Sequence, residues 1–397
     1  MSSVGSSQSG SSIVNSVDLP TGKLEVRIQS TQFPVDDLMG YAARANVKRG
    51  FLFVSKVLGK HWPVKPSTME VIHDALAAKI PQNLPSPVVF IAMAETAVGL
   101  GQGMYEAYLR ANPSNDAIFL HTTRYQVADL PIVEFEEAHS HAPRQFLHLP
   151  QNVAISSVFL NAQSLVLIDD EATTGNTFVN LAMAYRKINN NVKTIHLAAI
   201  TNFMGEEITA RLPERLGLDV TIGALLSGDF TFSPNNLQPA VSPAQLFERN
   251  AERGASGVFG RLGLVAPQSA PMELVRQLLA EVGVHEKVLV LGTGEFMHAA
   301  FILGRELEAN FRDVAVQSTT RSPILESGAV RHSLSFADNY GEGISNYVYN
   351  VEPGQYDHIF ICHETPLNAA LIELAVHLDA RLFHFHSEAD VEENFIR

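Results

Sequence analysis

Residues 164–177 read Ser-Leu-Val-Leu-Ile-Asp169-Asp170-Glu171-Ala-Thr173-Thr174-Gly175-Asn176-Thr177, and no other stretch constrains the fold as much. The apolar run 165–168 is continuous rather than alternating, which predicts a strand buried on both faces of a parallel sheet. It ends on acids, a turn rich in Thr and Gly follows, and 178–185 carry a helical pattern. Strand, turn and helix in this order aim unpaired backbone N–H groups and the positive end of a helix dipole at an anion. Gly175 lets the backbone come close, and the hydroxyls of Thr173, Thr174 and Thr177 add donors for a phosphate monoester. Asp169 and Asp170 stand at the carboxyl end of the strand, where open α/β sheets bind ligands. There they suit the vicinal hydroxyls of a sugar and help retain Mg²⁺, which takes a few carboxylates together with substrate oxygens.

The stretch resembles the phosphoribosyl-pyrophosphate (PRPP) signature of the type I phosphoribosyltransferases, the orotate enzymes among them. The resemblance implies a parallel α/β sheet and a Mg²⁺-dependent transfer of ribose 5-phosphate from PRPP to a base-like acceptor, releasing pyrophosphate. It places Asp169 and Asp170 as the catalytic acids, holding Mg²⁺ partly through water and PRPP, and residues Thr173, Thr174, Gly175, Asn176 and Thr177 on the 5-phosphate. In the family the first core strand leads into a loop that binds pyrophosphate. Here the run 88–92 leads to Ala94, Glu95 and Thr96, which lack the usual Gly-rich form. Arg124, just past the apolar run 117–121, matches a basic position that touches pyrophosphate. The segment 44–63 is the most basic of the chain and loosely resembles the hood over the base, with Lys56, Lys60 and His61 as its candidates. The long polar connection 128–150 matches the flexible lid, carried here by His139, His141 and Arg144. A metal site on His139 and His141, with Glu136 and Glu137, is the rival reading of that connection.

Elsewhere, alternation over 24–28 predicts an edge strand, and 69–80 a helix capped by Ser67. Residues 192–200 and 219–226 read as further strands. The expected division is a tail over 1–20, a transferase-like domain over 21–235, a connector over 236–270 and a second α/β domain over 271–397. In that last part, Gln317-Ser-Thr-Thr320-Arg321-Ser-Pro323 resembles the motif that names the TRSP domain, found after phosphoribosyltransferase domains in bacterial clusters for tellurium resistance and stress response.

The second part also echoes the first. The run 288–292 with Thr293, Gly294 and Glu295 parallels 88–95, Thr319-Thr-Arg321 parallels Thr122-Thr-Arg124, and 358–364 parallels 165–171, at near-equal spacing. A degenerate copy of the same fold is the expectation. Cys362 and His363 stand where the acids were, so the copy lacks the PRPP chemistry, and adjacent strand residues face opposite ways, which argues against a Cys-His nucleophile there. Two readings of its role stay open. In one, Gly292, Thr293, Gly294 and Glu295 with Thr320 and Arg321 form an anion site of its own. In the other, the copy is an internal pseudo-dimer partner whose segment 337–345 lies at the mouth of the first site as a mobile lid, and 1–240 alone is soluble but impaired.

Composition narrows the rest. Apolar residues make up 46% and charged residues 18% of 397, which describes a globular chain with a sizeable core. A net charge of −14 argues against broad nucleic-acid binding, and no apolar run approaches a membrane span. The single cysteine excludes an internal disulfide framework and points to a cytoplasmic protein. The expected partners are PRPP and a small acceptor, with a homo-oligomer or internal pseudo-dimer as the assembly. A non-catalytic PRPP-binding sensor or assembly subunit is the alternative to an enzyme.

Overall fold

Continuous apolar runs form the two sheet cores. A computed structural model describes residues 13–44, 49–113, 116–125, 127, 130–136, 144–235, 259–310 and 313–395. The first half contains β1 (Ile13–Leu19), β2 (Gly22–Thr31), the short α1 (Val35–Leu38), β3 (Met39–Ala43), β4 (Phe51–Ser55) and α2 (Pro66–Ala77). Then come β5 (Val88–Ala92), α3 (Val98–Ala111), β6 (Ala117–His121), β7 (Ile132–Glu136), β8 (Arg144–His148) and α4 (Val153–Asn161). It closes with β9 (Ser164–Ala172), α5 (Asn176–Arg186), β10 (Thr194–Asn202), α6 (Gly205–Leu216) and β11 (Asp219–Pro234). The sheet runs β1-β2-β11-β10-β9-β5-β6, parallel from β11 to β6. Val166 and Ile168 face one core, with Phe90, Tyr105 and Phe119, while Leu165 and Leu167 face the other, with Phe159, Phe178 and Leu181. Helices on both faces explain why these strands carry no polar alternation.

The second half has α7 (Met272–Glu281), β12 (Val288–Gly292), α8 (His298–Glu308), β13 (Val314–Ser318), β14 (Ser333–Phe336) and β15 (Asn346–Tyr349). It ends with β16 (His358–His363), α9 (Ala369–Leu378), β17 (Arg381–Phe385) and β18 (Val391–Asn394). Its sheet order, β13-β12-β16-β17-β18, repeats β6-β5-β9-β10-β11 strand for strand, except that β18 is antiparallel. Local hydrogen bonds repeat as well. Ala94 N donates to Thr122 Oγ1 at 2.8 Å, and Gly294 N to Thr319 Oγ1 at 2.8 Å. Thr123 N reaches Phe146 O at 2.8 Å, and Thr320 N reaches Tyr347 O at 3.0 Å.

The halves share their packing. Val64 and Met69 belong to the core of the second half, Met297 packs on Ala94 and Val98, and Ala42 and Val54 pack with Ile324, Val330 and Tyr349. Val64 and Val316 exchange backbone hydrogen bonds at 3.0 and 2.8 Å.

Several expectations change. Residues 13–19 of the expected tail form β1, which pairs with β2 and leaves β2 inside the sheet rather than at its edge. Helix α2 starts with Pro66 at its first turn and has no side-chain cap. Ser67 instead donates to Glu308 Oε1 at 2.7 Å, across the junction of the halves. The connection expected as a long loop is a hairpin, β7 with β8. Arg144 begins β8, while His139 and His141 lie outside the described residues. The connector expected over 236–270 is partly structured, since Phe119 and Leu264 form a backbone bridge that covers the β6 edge.

Candidate active site

Beyond the carboxyl ends of β9, β5 and β6 opens a cleft of about 250 Å³. Its floor is the stretch that most constrained the fold. Asp169, Asp170 and Glu171 end β9, and Thr173, Thr174, Gly175 and Thr177 lead into α5. Gly175 sits at φ 68° as the residue before the helix, and a Cβ there would lie 2.9 Å from Met204 Sδ, so only glycine turns the chain here. Thr177 and Phe178, in the first turn of α5, line the cleft. The Asn176 side chain accepts from Arg215 at 2.9 Å and is not part of the lining.

Ala94, Glu95, Thr96 and Arg124 line the same cleft. The Arg124 backbone N–H donates to Glu295 at 2.7 Å, while its side chain lines the cleft. Glu95 is buried between Lys60, at 2.8 Å, and Arg321, at 3.4 Å. Burial alone would raise its carboxyl, but the two cations outweigh burial and hold it down at about 2.

The hood lines the cleft differently from expectation. Arg44, Arg49, Leu52 and His61 reach it. Arg49 pairs with Glu171 at 2.6 Å, beside Asp169 and Asp170. Burial holds His61 at about 3, so it faces the cleft as a neutral ring rather than a cation. Lys56 lies away from the cleft, its Nζ donating to Asp36 O at 2.8 Å and standing 5.6 Å above the Trp62 ring. Lys60 is wholly buried beneath it, donating to Gly294 O at 2.7 Å. Long flexible ammonium side chains went to structural acceptors, and the guanidinium groups stayed at the ligand face.

The separate anion site of the second half does not form. The Gly294 N–H is spent on Thr319, and its carbonyl on Lys60 and Ser318. Glu295 accepts from Thr123 Oγ1 at 2.7 Å and Arg261 at 3.1 Å, in the buried interior. Thr293 is buried, and a Cβ on Gly292 would meet Phe296 O at 2.4 Å. Thr320, Arg321 and Ser322 instead line the cleft of the first half, as does Ile344. The two loops therefore exchange acids across a pseudo-two-fold axis, Glu95 to Arg321 and Glu295 to the Thr123–Arg124 turn. Tyr340 is buried, stacked on Tyr125 at 4.2 Å, and the Asp338 carboxylate accepts from Tyr340 N at 3.0 Å. Segment 337–345 thus packs on the first half through Tyr340 and reaches its cleft at Ile344. Cys362 is core, its thiol pushed up by burial.

Arg44, Arg49 and the Thr320–Ser322 turn were not singled out for this cleft from sequence. Their signal was present in the basic segment and in the repeated Thr-Thr-Arg, but only the tertiary fold brings the second copy of that motif to the first site.

Burial and the Glu171 charge push Asp170 up to about 6. Asp169, Asp170 and Glu171 stand side by side on the cleft next to a Thr- and Gly-rich turn, and oxygen donors of this kind fit Mg²⁺.

Comparison with known proteins agrees with this geometry. Residues 38–229 match the family model described as phosphoribosyl transferase, and 259–378 the model described as TRSP domain C terminus to PRTase_2. No curated protein matches the chain. Among solved structures, adenine phosphoribosyltransferase from Trypanosoma brucei, in complex with AMP, pyrophosphate and ribose-5-phosphate, is similar at 14% identity over 48% of this chain and 77% of that chain, with a TM-score of 0.34. The adenine enzyme of Leishmania tarentolae gives 14%, 49%, 85% and 0.35, and a hypoxanthine phosphoribosyltransferase of Staphylococcus aureus 14%, 43%, 78% and 0.25. At these values the site rests on the chain's own residues. Among the described residues no helix is long and apolar enough to cross a membrane. Its two family matches, in this order, make the chain a phosphoribosyl transferase domain followed by a TRSP domain.

Proposed function

We propose that the protein transfers ribose 5-phosphate from PRPP to a nitrogenous acceptor, releasing pyrophosphate and forming a nucleotide-like product. The observation that carries this reading is a single cleft joining a phosphate turn, paired carboxylates and an arginine-lined subsite. The 5-phosphate would lie on residues 173–177, and the ribose hydroxyls on Asp169 and Asp170. Pyrophosphate would lie against residues 94–96, between Arg124 and Arg321. Mg²⁺, held by Asp169 and Asp170, would supply charge neutralisation to the leaving pyrophosphate.

The bond from C1 to the pyrophosphate oxygen breaks as the acceptor nitrogen closes on C1, and positive charge develops on the sugar. Asp169 and Asp170 stabilise that charge from fixed positions, and Arg124 and Arg321 take the charge arriving on pyrophosphate. Leu52, His61, Phe178 and Ile344 wall the cleft and limit water. The acceptor would enter beneath Arg44 and His61.

The test incubates the full chain with PRPP, Mg²⁺ and a panel of purine, pyrimidine and related bases, reading pyrophosphate release and PRPP binding. Release with at least one base, lost in Asp170→Asn, is the expected result. PRPP binding without release across the panel would mean a sensor, and absence of PRPP binding would end the reading.

A further inference from the structure

The second half carries a cluster that the transfer reaction does not use. In the antiparallel pair β17 and β18, His384 lies opposite Glu392. His386 lies one residue past the end of β17, in the turn to β18, with its ring centroid 4.1 Å from that of His384. One ligand atom from each of His384, His386 and Glu392 lies within 4.8 Å of the others, and His386 Nε2 is 3.3 Å from Glu392 Oε2. We propose that these three side chains bind one divalent cation of the Zn²⁺ class.

The surroundings hold each ligand in place. His363, opposite His384 on β16, stacks on it with ring centroids 5.0 Å apart and planes 9° apart, which sets the plane of the His384 ring. His384 also packs against the His386 ring, which keeps the two imidazoles together. The turn that delivers His386 is closed by His386 N to Asp390 O at 2.9 Å and Asp390 N to Ser387 Oγ at 3.1 Å. Side-chain exposures of 44% for His386 and 63% for Glu392 leave an entry path.

Two imidazoles and one carboxylate select a borderline ion and leave a coordination position for water. Asp169 and Asp170 offer oxygen alone and suit Mg²⁺, so the two sites divide by ligand chemistry. An ordinary surface pair between His386 and Glu392 would not require His384 to be held beside it by ring contacts with both His363 and His386.

The experiment uses tag-free full-length protein stripped with chelator and titrated with Zn²⁺, with Co²⁺ as an absorbing substitute. One equivalent should bind and resist excess Mg²⁺. His384→Ala and, at the exposed position, Glu392→Gln should each weaken binding at least tenfold with unchanged circular dichroism. His139→Ala with His141→Ala should leave it unchanged. No stoichiometric binding, displacement by Mg²⁺, indifference to the 384 and 392 changes, or loss in the 139 and 141 variant would each overturn the proposal.

Discussion

Burial and the neighbouring Glu171 push the Asp170 carboxyl up to about 6, above the 3.8 of a free aspartate. A raised folded pKa means that the stability this residue contributes is complete below 3.8 and is lost as pH rises through 6. At about 1.4 kcal/mol per unit, the cost at neutral pH is at most about 3 kcal/mol. Asp170→Asn keeps the shape without the charge. It should raise stability at pH 7.5 by about 1–3 kcal/mol in calorimetry while lowering turnover at least about a hundredfold. Unchanged turnover would remove the acid from the mechanism. The buried histidines carry the opposite sign. Burial holds His61 and His73 at about 3 and His148, His196 and His363 at about 4, below the 6.5 of a free histidine. Unfolded chains take up those protons first, so stability falls as pH drops below 6.5, by about 2 kcal/mol per residue at pH 5. A melting temperature that stays level from pH 7 to 5 would contradict this.

Among elements, the segment after residue 258 has a weight that its composition conceals. Arg261, 1% exposed, reaches Glu364 at 2.6 Å and Glu295 at 3.1 Å. Arg261→Met leaves both carboxylates buried without it and should cost about 3–5 kcal/mol in denaturant unfolding. The double variant with Glu364→Gln should recover part of that loss. An Arg261→Met protein as stable as wild type would show that the carboxylates find other partners. Its prolines, glycines and serines read as a connector, and its role depends on a partner about a hundred residues away in sequence. Strands buried on both faces were the legible part: 88–92 and 117–121 are β5 and β6 residue for residue, and β9 with α5 forms the anticipated strand, turn and helix. Short hairpins escaped. Residues 39–43 with 51–55, and 333–336 with 346–349, carry too few residues per strand for a period to stand out, and their pairing depends on the cores they cover. In the cleft, residues 169–177 were legible because one local strand, turn and helix carries them, and so was Arg124 just past β6. Arg44, Arg49 and Arg321 were not, because only the tertiary fold brings their segments together.

For the whole molecule, the pseudo-two-fold arrangement makes the second half part of the first site, and two experiments separate what it gives to catalysis from what it gives to folding. Arg321→Gln in the full chain removes one cleft guanidinium but leaves Glu95 paired with Lys60 at 2.8 Å. It should raise the KM for PRPP at least about tenfold while near-ultraviolet circular dichroism stays as in wild type. Truncation at 240 acts differently. It removes Met297 from Ala94 and Val98, and the β13 backbone from Val64. It also strips Glu106 of both His298, at 2.9 Å, and Arg305, at 3.3 Å. Every residue of α3 from 98 to 108 is buried, so the cut would expose Val98 and its apolar neighbours and leave the buried Glu106 without those partners. The soluble but impaired fragment anticipated from sequence therefore gives way to a stricter outcome. Residues 1–240 should aggregate or bind a hydrophobic dye without a cooperative melting transition. A monomeric fragment with a sharp transition, and activity no lower than that of full-length Arg321→Gln, would show that the second half contributes one arginine and nothing to the core.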